Sequence, residues 1–356
     1  MTLSLARPSL RPLLTAVLST ALLSVVLVAC GGGGGGSAST PPPPAPSYQI
    51  TSLVADQATA GATTTDANLV NPWGLAYGPT TRFWLANQGT ATATVYDGLG
   101  QMLATPLVVS DPIVTGRTVG GPTGMVFNAS SGFQGDIFIM ASLDGCISGW
   151  STGTAVTRRV DNSASGAIYT GLAQGISTSA TYLYAANLAG GTIDVFDAAY
   201  APVTLAAGTL VDPTLPAGYS PYNVQVLAGK LYVTYAQYTA GNPRETPGAG
   251  LGIVSVFNLD GTFVQRLATG GSLNAPWGLA LAPAGFGPFG GALLVGNFGD
   301  GRITAYNVAT GALMGQLKGP AGTPISVSGL WGMTFGNDAS AGKSTQLYVA
   351  AGPQGQ

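Results

Sequence analysis

The stretch Ala275-Pro276-Trp277-Gly278-Leu279-Ala280 has a near copy in Asn71-Pro72-Trp73-Gly74-Leu75-Ala76. Diverged copies read Gly121-Pro122-Thr123-Gly124-Met125-Val126, Tyr169-Thr170-Gly171-Leu172-Ala173, Ser220-Pro221-Tyr222-Asn223-Val224 and Gly329-Leu330-Trp331-Gly332-Met333-Thr334. The glycine position falls at residues 74, 124, 171, 223, 278 and 332, a recurrence of 47–55 residues. A period of that size marks a repeat architecture in which each unit is one supersecondary element.

Each copy is followed by a second apolar run: residues 83–87, 137–142, 183–187, 231–235, 293–297 and 347–351. Third runs follow five of the six copies, at 92–97, 146–150, 192–197, 253–258 and 303–307, and fourth runs occur at 263–267 and 312–317. The runs are short, rich in Val, Ile, Tyr and Phe, and bounded by Gly, Asn, Asp or Pro, and Asp97-Gly98, Asp260-Gly261 and Asp300-Gly301 are turn signals. Four strands per unit and six units predict an all-β chain, a six-bladed β-propeller over residues 48–356. A solenoid, the main alternative, would need capping repeats at its ends. Residues 48–54 read as a strand without a unit of its own, suited to completing the last blade and latching the ring. That last blade has first and second runs near Trp331 and Leu347 and no third, which predicts an unpaired edge.

Composition narrows the chemistry. The 356 residues include 54 Gly, no His and only 26 charged side chains, and Glu245 is the single Glu. Without His there is no Ser-His-Asp triad, no Cys-His pair and no His-ligated metal. A carboxylate pair would have to be built almost wholly from Asp. The net charge of −2 carries no basic footprint for nucleic acid. An enzyme is therefore not the favoured reading, and no catalytic residue or metal ligand is assigned.

The first residues read as an address. Arg7 and Arg11 precede an uncharged apolar stretch, 13–28, that ends in Leu27-Val28-Ala29-Cys30. A basic start, a short apolar core and small residues before a break define a secretory signal, and the stretch is short for a bilayer span. Leu-Val-Ala-Cys also resembles a bacterial lipobox. That resemblance implies cleavage after residue 29, a lipid on Cys30 as the link to the membrane, and export to the envelope, with outer-membrane sorting in a Gram-negative cell. Residues 30–47 then form a tether: six glycines give flexible coil, and Pro41 to Pro44 give stiff polyproline II. Lipidation would leave Cys146 without a partner and the propeller without a disulfide.

In a propeller the first strand of each blade lines the central channel. The repeat alignment puts Trp73, Thr123, Thr170, Tyr222, Trp277 and Trp331 at one position. Trp73, Tyr222, Trp277 and Trp331 would form an aromatic collar at a channel mouth, suited to stacking on a sugar, peptide or ring; the alternative is packing between blades. Asn87, Asn187 and Asn297 share the end of the second strand. They would offer amides to a ligand or oxygens to a hard cation, or else support turns through their own backbone bonds.

Several segments together resemble an uncharacterised family of secreted bacterial β-propeller proteins, distantly similar to NHL-repeat propellers. They are the two Pro-Trp-Gly-Leu-Ala copies, residues 161–166, 183–187, 191–197 and 231–236, and above all 294–303. The resemblance spans about residues 48–353 and implies the fold and export, without an activity. Members of that family continue past the Ala-Ala-Gly-Pro stretch into an acidic, His-containing segment that this chain does not have. Propellers of the lactonase type hold a channel calcium with Glu, Asn and Asp. These readings favour a non-catalytic binding or interaction module, anchored in the envelope, for a small molecule, glycan or protein. The rivals are a calcium-dependent propeller hydrolase and a degenerate structural member of the family.

Overall fold

The computed structural model describes residues 2–6, 47–176 and 180–353, with backbone alone for 2–6. Cys30 and the tether lie outside the described residues. Apart from five short 3₁₀ turns, the regular structure is all strand. In chain order, β1 (Thr2–Ala6), β2 (Gln49–Ala55) and β3 (Thr64–Thr65) precede the first Pro-Trp-Gly motif. Five sheets of consecutive strands follow. The first is β4 (Pro72–Ala76), β5 (Phe83–Asn87), β6 (Thr92–Tyr96) and β7 (Val108–Ser110). The second is β8 (Pro122–Phe127), β9 (Phe138–Ser142), β10 (Cys146–Trp150) and β11 (Thr157–Asp161). The third has β12 (Tyr169–Ile176), β13 (Thr181–Asn187) and β14 (Thr192–Asp197). The fourth is β15 (Tyr219–Leu227), β16 (Lys230–Gln237), β17 (Ile253–Asn258) and β18 (Phe263–Thr269). The fifth is β19 (Pro276–Leu281), β20 (Leu293–Asn297), β21 (Ile303–Tyr306) and β22 (Leu313–Gln316). Finally β23 (Leu330–Phe335) and β24 (Leu347–Ala351) join the N-terminal strands in one sheet, ordered β23-β24-β1-β2-β3.

The chain is a β-propeller, and three expectations about it are corrected. Five blades are built from consecutive strands, where six like blades were expected; the remaining sheet is a composite of both chain ends. The third blade has three strands, its outer position being held by a bridge between Phe196 and Pro202 rather than a strand. The third-strand position of the composite sheet is filled, because β1 pairs antiparallel with β24 on one side and β2 on the other. The segment that fills it is the start of the expected leader. Residues 49–55 do enter the last sheet, as their lack of a unit of their own suggested.

Side-chain alternation accounts for the packing. Each sheet buries both faces against its neighbours, so one apolar cluster lies at each junction. Trp84 and Val95 meet Phe138 and Met140 between the first two sheets, and Leu294 and Ile303 meet Leu330 and Val349 between the fifth and the composite sheet. Each fully buried side chain of this size contributes about 1.5–3 kcal/mol. A seventh cluster, containing Trp73, Tyr222, Trp277 and Trp331, lies on the axis.

The motif glycines set how closely the inner strands approach. A Cβ on Gly74 would lie 2.4 Å from the Thr123 carbonyl oxygen, one on Gly124 2.2 Å from the Leu172 nitrogen, and one on Gly332 2.6 Å from the Trp73 carbonyl oxygen. Each first strand thus rests backbone-to-backbone on the next. In the fourth sheet Asn223 replaces the glycine, and its amide instead donates to the Trp277 carbonyl oxygen at 2.7 Å. Gly124→Ala must push two strands apart and is expected to destabilise by about 1–3 kcal/mol. Gly319→Ala, with nothing within 4 Å of the new atom, serves as the control. Thermal melts of the two variants check this; equal midpoints would contradict the close-approach account.

Candidate functional site

Two cavities lie among the inner strands and the loops that join them. One, of about 530 Å³, is lined by the later halves of the inner strands, including Tyr77, Phe127, Gln174 and Trp277. The other, of about 650 Å³, is formed by loops that enter the first strands and leave the second strands, with Asn71, Gln88, Ile113, Val119 and Arg244 in its wall. Both volumes suit a small-molecule ligand.

The repeat position expected to form a collar does converge, but on itself. Trp73, Tyr222 and Trp331 are 0% exposed and Trp277 is 4% exposed. Trp73 and Trp331 stack with ring centres 3.6 Å apart, and Trp277 sets its edge against both at 6.1 and 5.9 Å. Phe298 stacks on Trp331 at 4.2 Å, and Tyr222 is tilted against it at 6.1 Å. The aromatics therefore pack on the axis, neither open to solvent nor between blades. Two of the indole N–H groups are tied to other blades: Trp277 donates to the Thr170 carbonyl oxygen at 2.9 Å, and Trp331 to Asn71 Oδ1 at 3.0 Å. The Trp73 N–H is buried and makes no hydrogen bond among the described residues.

Burial also governs the aligned asparagines. Asn87 Nδ2 donates to the Thr94 hydroxyl at 2.9 Å. Asn187 accepts from the Gly190 amide at 2.9 Å and donates to Asp194 at 3.0 Å. Asn297 donates to the Ser272 carbonyl oxygen and to Asp300, and accepts from the Asn274 amide. Asn187 and Asn297 thus brace the turns between second and third strands, Asn297 also ties in the loop before β19, and Asn87 bonds across to β6. Among the described residues no three His, Cys, Asp or Glu side chains are grouped to hold a metal.

The group that repeat alignment misses is Arg244. It sits in the loop between β16 and β17, outside every repeat. That loop folds back over the channel, with the Thr246 amide on the Gln237 carbonyl oxygen at 2.8 Å and the Gly248 amide on Asn274 Oδ1 at 2.7 Å. The guanidinium carbon lies 4.8 Å from the Trp73 ring centre, 5.3 Å from Trp331 and 5.5 Å from Phe298. A cation over aromatic faces is attracted by their quadrupoles. Arg244 Nε and Nη2 donate to the Glu245 carboxylate at 3.1 and 3.3 Å. The Glu245 side chain is 2% exposed and that of Arg244 20%. The single Glu of the chain is thus committed to a buried ion pair. Burial first, and the Glu245 charge second, push the pKa of the Tyr222 phenol beside this pair well up. The sequence signal was present as one Glu and one Arg side by side in a long intrablade loop.

A buried carboxylate lies in neither cavity wall. Asp111 accepts from the Ser148 hydroxyl at 2.9 Å, and burial pushes its pKa up to about 6, with the nearby Asp144 adding to the rise. Asp144 accepts from the Val114 amide and sits in the β9–β10 turn. Burial likewise pushes the Cys146 thiol up to about 12, which leaves it an inert core residue.

No family model matches the chain. Among curated proteins it is 33% identical to the uncharacterised protein R648 of Acanthamoeba polyphaga mimivirus, over 86% of this chain and 78% of that one. It is 30% identical to the uncharacterised protein L690 of the same virus, over 75% and 74%. These relatives are viral, which corrects the expectation of a bacterial family. Among solved structures, the soluble aldose sugar dehydrogenase of Escherichia coli aligns with a TM-score of 0.47 at 14% identity, over 79% of this chain and 96% of that one. The streptogramin B lyase structure aligns at 0.46 and 12%, over 79% and 93%.

The geometry makes a prediction for the axial cluster. Trp73→Ala removes one ring of a close-packed stack and is expected to cost about 3–5 kcal/mol of stability. Denaturant titration measures this. A loss below 1 kcal/mol would mean that the stack is not what holds the inner strands together.

Proposed function

Because the chain belongs to the family of the uncharacterised mimivirus proteins R648 and L690, whose names carry no activity, we propose a function from the site itself. The protein is an exported propeller that binds a small ligand in the loop-lined cavity and does not transform it. The observation that carries this reading is a cavity of about 650 Å³ with Arg244, which lies over Trp73 and Trp331, in its wall. Apolar walls at Leu69, Val70, Ile113, Val119 and Leu143 supply contact area, and a few polar groups give orientation. Catalysis is disfavoured by the residues themselves. There is no His, the one Glu is engaged by Arg244, and Asp111 lies outside the cavity wall.

Envelope anchoring through Cys30 belongs to the same proposal, on the strength of Leu27-Val28-Ala29-Cys30 and the tether after it. Cleavage before Cys30 would also remove β1 and leave a one-strand gap between β24 and β2 in the composite sheet.

Two measurements test the proposal. A metabolite and glycan screen against the full chain is expected to yield ligands that Ile113→Trp excludes, because Ile113 lies at the rim, is 40% exposed and can be enlarged without disturbing the core. Ligands that bind Ile113→Trp as well as the parent would move the site elsewhere. In a bacterial host, Cys30→Ser is expected to shift the protein from the membrane to the soluble fraction and abolish incorporation of a labelled fatty acid. Unchanged fractionation with no label on the parent would end the anchoring reading.

A further inference from the structure

We infer that the ligand of this cavity carries a carboxylate on an apolar body, and that Arg244 is its anchor. The inference rests on the cavity being a binding site and adds the chemical class of what it takes.

Of the described residues that line the cavity, Arg244 is the one cation and Asp56 the one acid. A guanidinium has five N–H donors in a fixed planar fork. Glu245 accepts from Nε and Nη2, the side-on edge. Among the described residues Nη1 makes no bond to Glu245, and apart from the Tyr222 phenol beside the guanidinium the end-on edge formed by Nη1 and Nη2 keeps unused donors. That edge matches the spacing of two carboxylate oxygens, and Arg–carboxylate pairs made this way are bidentate and charge-assisted.

The fork is also held in place. Three aromatic rings lie within 5.5 Å of its carbon, Glu245 fixes its rotation, and the loop is tied down at Thr246 and Gly248. Little side-chain entropy remains to be lost when a ligand docks. Two amide side chains of the wall are tied up, while Asp56, Gln57, Thr59 and Thr118 also line it. Asn71 Nδ2 donates to Gln88 Oε1 at 2.7 Å, and Gln88 Nε2 donates to the Gly120 carbonyl oxygen at 2.8 Å. A ligand with one anionic end and an apolar remainder fits both the free fork and the Leu, Val and Ile walls. A cation is the wrong sign for Arg244; the buried Glu245 does not line the cavity, and Asp56 is the one acid there that a cation could meet.

The test titrates the full chain with matched probes: octanoate and phenylbutyrate, their primary amides, and the corresponding amines. Tryptophan fluorescence reports directly, because the anchor lies on Trp73 and Trp331, and calorimetry gives the affinities. The carboxylates are expected to bind at least tenfold tighter than the amides, with affinity falling as salt rises, and the amines weakest. Arg244→Lys, which keeps the charge and loses the fork, is expected to weaken the carboxylates about tenfold or more. Arg244→Met combined with Glu245→Gln avoids a stranded buried carboxylate and is expected to abolish the preference over amides while still folding by circular dichroism.

Equal binding of acids and amides, or carboxylate binding that survives in the double variant, overturns the carboxylate assignment and leaves the cavity reading standing. If no acid, amide or amine binds and the wider screen also finds no ligand excluded by Ile113→Trp, both readings fall together.

Discussion

The approach of one inner strand to the next is the constraint on which the rest of this structure depends. At the motif position a side chain larger than hydrogen would meet the neighbouring backbone at 2.2–2.6 Å around Gly74, Gly124, Gly278 and Gly332. The narrow axis that results is just wide enough for a few rings. Trp73, Trp277 and Trp331, one residue before three of those glycines, fill it by stacking and edge contacts. Close backbones and large axial side chains are two halves of one packing solution: glycine brings the strands together, and tryptophan occupies the remaining space. With the axis filled by these rings, the channel is packed along the aromatic cluster rather than open as a pore.

Closure follows a different logic from the repeats. Five sheets fold from consecutive strands, while the composite sheet needs both ends of the chain. Gly332 rests on the Trp73 backbone, and Trp331 donates to Asn71, so the last inner strand grips the first through backbone and side chain together. Tyr48 adds a contact of its own, stacking on Phe286 at 4.9 Å and sending its amide to the Lys318 carbonyl oxygen. The seam is therefore held across a very long sequence separation, which makes it the part of the fold whose pairing costs the most loop entropy to form.

Much of this was legible because strands and turns leave local marks. The runs at 83–87, 293–297 and 347–351 became β5, β20 and β24 without adjustment, and the lone strand near residue 50 joined the last sheet. The alignment of Trp73, Tyr222, Trp277 and Trp331 was equally legible as a repeat position. What that position does was not, because a period states which residues are equivalent and not how far they stand from the axis. The third blade lost its fourth strand to a loop that pairs through one bridge at Pro202, a choice made by packing rather than propensity. Arg244 was missed for the opposite reason. Loops that break the repeat carry no periodic signal, and function in propellers and other scaffolds concentrates on such loops.

The low charge of the chain sharpens what Arg244 means. Where charge is scarce, most ionised groups near the interior have a structural partner. Arg159 holds Asp136 through two bonds of 2.7 Å, and Arg266 holds Asp212 in the same way, each through Nε and Nη2. In each pair the acid is nearly buried and the arginine is the more exposed partner, so the arginine serves the acid by satisfying a carboxylate that packing has taken out of water. Arg244 and Glu245 show the same ordering of burial, with longer bonds of 3.1 and 3.3 Å. The difference lies in what surrounds the outer edge of the fork. For Arg159 that edge reaches the Gln134 side chain at 2.7 Å. Arg244 instead lines the cavity, over a base of rings that fix its plane. The rings under Arg244 thus do for its guanidinium plane what Gln134 does for that of Arg159, and they leave it in a cavity wall rather than against another side-chain amide.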